Sequence, residues 1–536
     1  MSLALATADL ARAFRERDLA PAAPALRMAA DLLLGRARAE DLDRSAVSTL
    51  LLGLGLPLGP HALEPIADPH AIGETYAASL PPTTRAKAGA YYTPAELADR
   101  LWDALCDGGA TPEMSFHDLA AGAGSLLLRP LRSAVQSALS SDTSPEISLR
   151  RIAHRFTGVS GTDLDPVACR LANALLAAEM LPLWARIERH RRPPMPHLLM
   201  TGDGLSYRGG NAVDVVVLNP PYGRVRLTPA ERAAFADRVT GHANLYGLFL
   251  AAAIERVRDG GLVGAVLPTS FLGGAYGRAL RSFIAAHAEP LEITLVDERH
   301  DTFAGVLQQT CLLVLRKNAS RHRRPRVRSV ADGERLVDLG AWELPGAPDA
   351  PWLLPRREAD MPLLERALHH PGRLGDLCRI STGPLVWNRR RADLTPRATD
   401  DSSPVIWAAD ISVDGEVRPH PSRASRRHLR GPAPMALSHP AVLLQRTTAP
   451  EQPRRLVAGL LDQRTLNAWG GRVVIENHVN VITPRDGVSL EDLYALLRSD
   501  EADRLYRCIT GSVAVSAYEL AALPIGPPPD RADTRS

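Results

Sequence analysis

The chain has 536 residues and a mass of 57.8 kDa, which is too long for a single hydrophobic core and predicts two or three domains. Hydrophobic residues make up 45% and charged residues 23%, a balance typical of globular proteins rather than disordered or fibrous ones. No run looks long and apolar enough to span a membrane. The five cysteines form no CxxC pair, which argues against a zinc site and favours a reducing cytoplasm.

The net charge of +3 is small but unevenly distributed. Between residues 377 and 480 there are 15 arginines and nine acidic residues, an excess of six positive charges. A solvated arginine-rich surface would account for this excess, and so would a domain that binds phosphates.

Taken in chain order, the pattern predicts a helical extension over residues 1–85, where apolar residues recur at helical spacing. From 86 to 320, apolar runs such as VDVVVLN and GLVGAVLP alternate with helical stretches, which predicts an α/β domain with a parallel sheet. A basic and then proline-rich stretch predicts a linker over 321–360. Residues 361–536 mix short strands and helices, and SLEDLYALLRSDEADRLYRC is the clearest helix there.

Acidic residues follow several predicted strands. Asp118 precedes Gly122 and Gly124 in FHDLAAGAGSLLL, and such glycines let the backbone approach a ligand closely, although a purely structural turn has the same pattern. Asp163 ends the next strand, where an acid commonly holds ribose hydroxyls, and Asp203 lies in a glycine-flanked turn and could accept from an adenine amino group. The interval from Gly122 to Asp163 is about twice the ~20 residues of a dinucleotide fingerprint, so a hydride-transfer enzyme fits poorly.

Upstream, GAYYTPAEL predicts the start of a helix, with Thr93 as N-cap, Pro94 in the first turn and Glu96 closing a capping box. Such turns gather at the carboxyl edge of a parallel sheet, where ligands bind. The sequence therefore predicts a nucleoside pocket.

The stretch DVVVLNPPYGRV predicts a buried strand followed directly by a turn of Asn219, Pro220, Pro221 and Tyr222. An amine on an aromatic ring is a weak nucleophile because its lone pair is delocalised, and two acceptors for its N–H bonds favour a pyramidal nitrogen. The Asn219 amide oxygen and the Pro220 carbonyl could be those acceptors, with the prolines fixing the backbone. Tyr222 offers a face for stacking, worth roughly 1–3 kcal/mol.

The order GAYYTP, DLAAGAG, GTDLD, TGDG, LNPPYG, NLYGLFL, GLVGAVLPTSF resembles the γ-type N6-adenine DNA methyltransferases of restriction–modification systems, over residues 89–317. The resemblance implies a Rossmann-like S-adenosylmethionine-dependent methyltransferase sheet followed by a target-recognition domain of mixed α+β structure. The first motif departs from the family's usual Asp-Pro-x-Cys-Gly-x-Gly, because Leu119 and Ala121 replace the proline and cysteine.

Carried over residue by residue, the resemblance implies S-adenosyl-L-methionine as methyl donor and no metal. The residues that would bind this cofactor are Thr93, Asp118, Ala120, Gly122, Gly124, Asp163 and Asp203. The turn from Asn219 through Pro220 and Pro221 to Tyr222 would hold the target adenine. Phe303 would stack on its other face, although a core phenylalanine fits that position equally well.

A base in a duplex must leave the stack before it can react, so the partner implied is double-stranded DNA, gripped by the basic region. The densest basic segments predict DNA contacts by five arginines, namely Arg389, Arg390, Arg391, Arg426 and Arg427. Lysine occurs only at two positions, 87 and 317, which speaks against a fused Mg²⁺ nuclease. A separate restriction endonuclease or other defence-system subunits would then be the additional partners, with no membrane partner. Two alternatives remain, an RNA or protein-glutamine methyltransferase with the same pocket and a non-catalytic DNA-binding subunit.

Overall fold

The computed structural model describes residues 3–58, 68–88, 92–154, 158–206, 212–238, 241, 243–296, 309–318, 324–331, 335–370, 372–433, 436–447, 452–509 and 514–525. The chain forms two compact units, one of residues 1–268 with 276–344 and the other of residues 269–275 with 345–536.

In the described residues up to 341, six helices come first, and strands mixed with further helices follow. In chain order they are α1 (Leu3–Glu16), α2 (Ala23–Ala39), α3 (Arg44–Gly53), α4 (His70–Ser79), α5 (Pro82–Ala88), α6 (Ala95–Asp107), β1 (Phe116–Asp118), α7 (Ser125–Leu139), α8 (Pro145–Ile152), β2 (Val159–Asp163), α9 (Pro166–Ala185), β3 (Leu199–Thr201), β4 (Val213–Leu218), β5 (Arg224–Val225), α10 (Pro229–Ala234), β6 (Ala243–Asn244), α11 (Leu245–Arg256), β7 (Val257–Pro268), α12 (Ser270–Gly273), α13 (Arg278–His287), β8 (Ala288–Val296), β9 (Thr310–Lys317), β10 (Arg326–Ala331) and β11 (Arg335–Ala341). Of these, α12 belongs to the second unit.

The first unit is built on a nine-stranded sheet of order β11-β10-β8-β9-β7-β4-β1-β2-β3. The strands β3, β2, β1, β4 and β7 are parallel, and β9 runs antiparallel between β7 and β8. Phe116 lies beside both Val159 and Val215, so β1, β2 and β4 end at the same edge. The predicted Rossmann-like α/β fold is confirmed, and it brings the acidic strand ends together.

Helix α9 is apolar on all sides and lies in the core of this unit. Asp165 caps it by accepting from the N–H groups of Val167 and Ala168, and α2 packs along it. By length and composition alone α9 could cross a membrane, but 89% of its most apolar stretch is buried inside the protein. The expectation that no run reaches that length and hydropathy was wrong, since α9 reaches both. Helix α9 is apolar on all sides because it is a core helix covered by other helices.

The helices of the N-terminal extension share one hydrophobic core with the sheet rather than forming a core of their own. The stretch expected to be a linker also contains structure, since β10 pairs with β8 and β11 pairs with β10. Its arginines suggested an exposed segment, yet Arg328 is buried and pairs with Glu292 at 3.0 Å and Asp107 at 2.7 Å. These acids neutralise the Arg328 charge, so this side chain can be buried although the strand is basic.

The second unit mixes short strands and helices, in keeping with the predicted α+β domain. Its elements after α12 are α14 (Met361–Leu368), α15 (Leu374–Leu377), β12 (Cys378–Thr382), β13 (Leu394–Thr395), β14 (Ser402–Ile406), β15 (His428–Arg430), β16 (Ala441–Gln445), β17 (Ala458–Leu461), α16 (Gln463–Ala468), β18 (Val474–Ile475), β19 (Val479–Pro484), α17 (Leu490–Arg498), α18 (Asp500–Ile509) and α19 (Ala517–Ala521). The strands form two four-stranded sheets, β12-β19-β16-β17 and β13-β15-β14-β18. The single long helix expected near residue 500 is two helices, because Ser499 adopts an extended conformation between them.

Candidate active site

A cleft opens at the edge of the sheet where β1, β2 and β4 end. It brings together eight of the residues singled out from the sequence, namely Thr93, Asp118, Ala120, Gly122, Asp163, Asp203, Asn219 and Pro221. Gly124, Pro220 and Tyr222 lie outside its lining, and Phe303 lies outside the described residues.

Asp118 is the most deeply buried acid of this cleft, with 1% of its surface exposed. Its carboxyl accepts from the Ala120 N–H at 2.9 Å. Burial raises its pKa to about 8; the charge of Asp163 adds to the rise and the hydrogen bond from Ala120 opposes it. A ligand that donates hydrogen bonds to this carboxyl would therefore stabilise its charged form.

Asp163 is the second carboxyl of the cleft and is held by backbone amides. It accepts from the Gly122 N–H at 2.8 Å and from the Asp165 N–H at 2.9 Å. Burial raises its pKa to about 6, and these two hydrogen bonds limit the rise. The bond from Gly122 also ties the glycine turn after β1 to the end of β2.

The two glycines of that turn differ in what they contact. Both adopt positive φ angles, +52° at Gly122 and +82° at Gly124, which explains why glycine is needed at each. Gly122 lines the cleft, whereas a Cβ on Gly124 would lie 3.2 Å from the Cβ of Ala172 on α9. Gly124 therefore permits close packing of α7 on α9 and does not contact the cleft.

The turn after β3 carries Asp203. Its carboxylate accepts from the Leu205 N–H at 3.0 Å and from the Ser206 hydroxyl. Gly204 was given no role from the sequence, yet a Cβ there would lie only 2.0 Å from the carbonyl oxygen of Leu119. Its place in TGDG was the available signal, since close backbone approach is a common reason for glycine.

The amide of Asn219 is oriented from both ends. Its nitrogen donates to the Thr93 hydroxyl at 3.0 Å, and the Tyr222 hydroxyl lies 3.2 Å from its oxygen and 3.3 Å from the Val266 carbonyl. The Tyr222 ring packs edge-on against Tyr246, with the centroids 6.3 Å apart. These contacts orient the amide with its nitrogen towards Thr93 and its oxygen towards Tyr222.

The prediction that Thr93 caps α6 was wrong. The helix begins at Ala95, and its N-cap is Pro94, which makes no side-chain cap bond. The Thr93 hydroxyl instead accepts from Asn219. The Thr93 hydroxyl is therefore used in a tertiary hydrogen bond between distant segments and not in a local helix cap.

Sequence reasoning missed the contribution of the N-terminal helices. Leu10 and Phe14 of α1 and Tyr76 of α4 also line the cleft, together with Tyr92. No motif marks Leu10, Phe14 or Tyr76, and they precede the motif region. Only their clustering in space identifies them.

In the second unit, arginines lie against tryptophans. Arg426 lies over Trp387 at 4.5 Å and Arg423 over Trp407 at 5.2 Å, measured to the ring centroids. The two tryptophans contact each other edge-on at 6.3 Å. In cation–π contacts of this kind the guanidinium group is attracted to the face of the ring.

The five arginines named from the sequence have different surroundings. Arg389 and Arg391 are exposed. Arg390 pairs with Asp393 and donates to the Arg430 carbonyl at 3.2 Å. Arg427 donates to buried Asp410 at 3.0 Å and to the His420 carbonyl at 2.7 Å. The structure therefore shows Arg390 and Arg427 supporting the fold of this unit, and DNA contact by any of the five stays a prediction.

Comparison with known proteins finds relatives of the segment that carries this site. Residues 196–303 match the model of the Eco57I restriction-modification methylase. The Type II methyltransferase M.PstI of Providencia stuartii is 27% identical over 327 residues, which are 57% of this chain and 64% of that protein. M.BsuBI of Bacillus subtilis, also a Type II methyltransferase, is 24% identical over 331 residues, with the same two shares. The chain thus matches less than two thirds of the length of these relatives.

The fold is also found in a solved structure. The Type IIL restriction-modification enzyme MmeI, in complex with DNA, superposes with a TM-score of 0.54 at 12% identity, covering 97% of this chain and 87% of that one. The sheet, the cleft at its carboxyl edge and the matched segment around the Asn219 turn agree with the resemblance read from the motifs. The chain is thus similar to restriction–modification methyltransferases in sequence and in fold.

Proposed function

We propose that this protein transfers a methyl group from S-adenosylmethionine to the N6 amino group of adenine at a specific site in double-stranded DNA. The observation that carries the proposal is the Asn219 amide, which is oriented by Thr93 and Tyr222 and lines the same cleft as the acids Asp118 and Asp163. A methyl acceptor and a methyl donor could meet in that cleft.

The residues of the cleft fit this cofactor. Asp118 and Asp163 are carboxyls with raised pKa values, so they favour a ligand that brings ammonium or hydroxyl donors. The turn at Asp203 adds a third acceptor beside them. When bound, S-adenosylmethionine supplies an electrophilic methyl group on a sulfonium. Asp118, Ala120, Gly122, Asp163 and Asp203 would hold it.

On the acceptor side, the Asn219 oxygen and the Pro220 carbonyl would accept the two N–H bonds of the target amine. Accepting both bonds favours the pyramidal nitrogen of the transition state over the planar ground state, which is the condition for catalysis. The base would have to leave the duplex to reach the cleft, and Tyr222 would offer it an aromatic face.

The second unit would bind the DNA. Arg389 and Arg391, which are exposed, suit phosphate contacts, and Arg426 lies over the ring of Trp387. The related MmeI was solved in complex with DNA. We infer that the chain is the modification component of a restriction–modification or related defence system, working beside a separate endonuclease.

The experiment is a transfer assay with purified protein and labelled S-adenosylmethionine. Duplex DNA, RNA and a protein mixture are offered in turn, and the methylated product is identified by mass spectrometry. N6-methyladenine in duplex DNA, absent with Asn219→Ala, is the expected result. Label in RNA or on glutamine, or N4-methylcytosine in the DNA, would refute the proposal, and no label on any acceptor would favour a non-catalytic DNA-binding subunit.

A further inference from the structure

Helix α1 contacts the segment after the Asn219 turn at one end and leads to the segment after β2 at the other. It lies about 75 residues before the first motif. At its start, Leu3 packs into an apolar cluster with Val225, Ala243 and Leu248. Val225 lies three residues beyond Tyr222. At its other end, α1 leads directly to Arg17, which pairs with Asp165, two residues beyond β2.

The start of α1 is fixed by Glu231. This carboxylate accepts from the Ala4 N–H at 3.0 Å and from the Leu3 N–H at 3.4 Å. It also accepts from the Thr228 N–H at 2.7 Å and thereby closes the capping box of α10. A negative charge at the N-terminus of α1 is favourable for the helix dipole. One side chain thus holds both α1 and the segment that follows the Asn219 turn.

The far end of α1 is fixed by Arg17. Its guanidinium donates two hydrogen bonds to Asp165, 2.7 Å to Oδ1 and 3.0 Å to Oδ2, and the Tyr76 hydroxyl donates to the same carboxylate. The guanidinium also lies over the rings of Phe14 and Tyr76, 5.1 and 5.3 Å from their centroids. Such a bidentate pair has a defined geometry that a lysine could not reproduce.

Asp165 connects this pair to the cofactor carboxyls. Its backbone N–H donates to Asp163 at 2.9 Å, while its side chain caps α9. With Arg17 at 14% and Asp165 at 4% side-chain exposure, the pair is shielded from water. Removing one partner would leave the other charge buried and unpaired.

Between these two anchors, α1 presents its apolar side chains to the cleft. Leu10 and Phe14 line it together with Tyr76, beside Asp118 and Asp163. Phe14 is 3% exposed. Part of the wall of the cleft is therefore made by the N-terminal helices and not by the motif-bearing domain.

We infer that α1 is part of the cofactor site, with Leu10 and Phe14 as wall residues and Arg17 as the residue that positions them through Asp165. This inference rests on the S-adenosylmethionine binding included in the proposed function and extends it to a segment with no recognisable motif. Because α1 is also anchored at Glu231, its docking would link an occupied cofactor pocket to the segment after the Asn219 turn.

The test measures S-adenosylmethionine binding to the full chain by titration calorimetry, without DNA. Arg17→Ala should weaken binding at least tenfold, Arg17→Lys should recover only part of the loss, and Arg15→Ala should bind as the wild type does. Arg15 is the matched control because it lies on the exposed face of the same helix. Wild-type affinity in Arg17→Ala would overturn the inference.

A second measurement does not depend on any variant folding. Hydrogen exchange of the wild-type chain should show slower exchange across residues 3–16 when S-adenosylmethionine is added, because a bound ligand contacts α1. Unchanged exchange there, with protection around Asp118 and Asp163, would overturn the inference while leaving cofactor binding intact. If the chain binds S-adenosylmethionine with α1 protected but methylates no DNA, the proposed function fails and the inference about α1 stands.

Discussion

Replacing Thr93 by valine tests whether the orientation of the Asn219 amide matters for catalysis. Valine keeps the shape of threonine and removes the hydroxyl that accepts from Asn219 at 3.0 Å. Thr93 is only 5% exposed, so little water is available to replace the lost acceptor. One hydrogen bond of this kind contributes about 1 kcal/mol, which corresponds to roughly a fivefold slower methyl transfer.

The assay separates transfer from binding. Single-turnover methylation of duplex DNA with enzyme in excess should be about fivefold slower for Thr93→Val, while the dissociation constant for S-adenosylmethionine should be unchanged. Thr93→Ser keeps the hydroxyl and should behave nearly as the wild type does. A Thr93→Val variant with weaker cofactor binding and an unaltered single-turnover rate would refute this reasoning, since Thr93 would then act on the cofactor, as the family resemblance implies.

Three further predictions address separate parts of the cleft. Asn219→Ala should lower the methyl-transfer rate at least a hundredfold with little change in S-adenosylmethionine affinity, as measured by rapid quench and calorimetry. Gly204→Ala should lower the melting temperature by more than about 5 °C, because its Cβ would overlap the Leu119 carbonyl, whereas Gly202→Ala has open space and should melt as the wild type does. Since burial raises the pKa of Asp118 to about 8, the folded protein holds this proton more tightly than the unfolded chain does. The free energy of unfolding should therefore fall as the pH rises from about 4 to 8, by at most about 1.4 kcal/mol per pH unit from this group, and urea titrations should show a shallower fall in Asp118→Asn.

The sequence was sufficient for the parallel part of the sheet and for the residues at its carboxyl edge. Apolar strands that alternate with helices usually form a parallel sheet. Acids at the ends of such strands then meet at one edge of the sheet, as Asp118 and Asp163 do. The Asn219 turn was recognisable because consecutive prolines after a buried strand have few structural uses.

Other features depend on contacts that no local pattern encodes. Thr93 had the signature of an N-cap, but its hydroxyl bonds to a residue 126 positions away. Residues 326–341 looked like a linker because of their arginines, but Arg328 among them is buried and is paired with Glu292 and Asp107. Leu10 and Phe14 carry no motif, since an apolar residue on a helix can face a core or a ligand equally well.

The packing of α2 on α9 bears on how the chain is made. Helix α9 is so evenly apolar that, uncovered, it would present a long hydrophobic surface to other chains. The N-terminus leaves the ribosome first, so α2, whose buried alanines include Ala25, Ala29 and Ala37, is already outside when α9 emerges. The cover thus precedes the segment that it covers. A chain that lacked α2 would leave exposed the face of α9 that α2 covers, although α7, which also packs on α9, still precedes it.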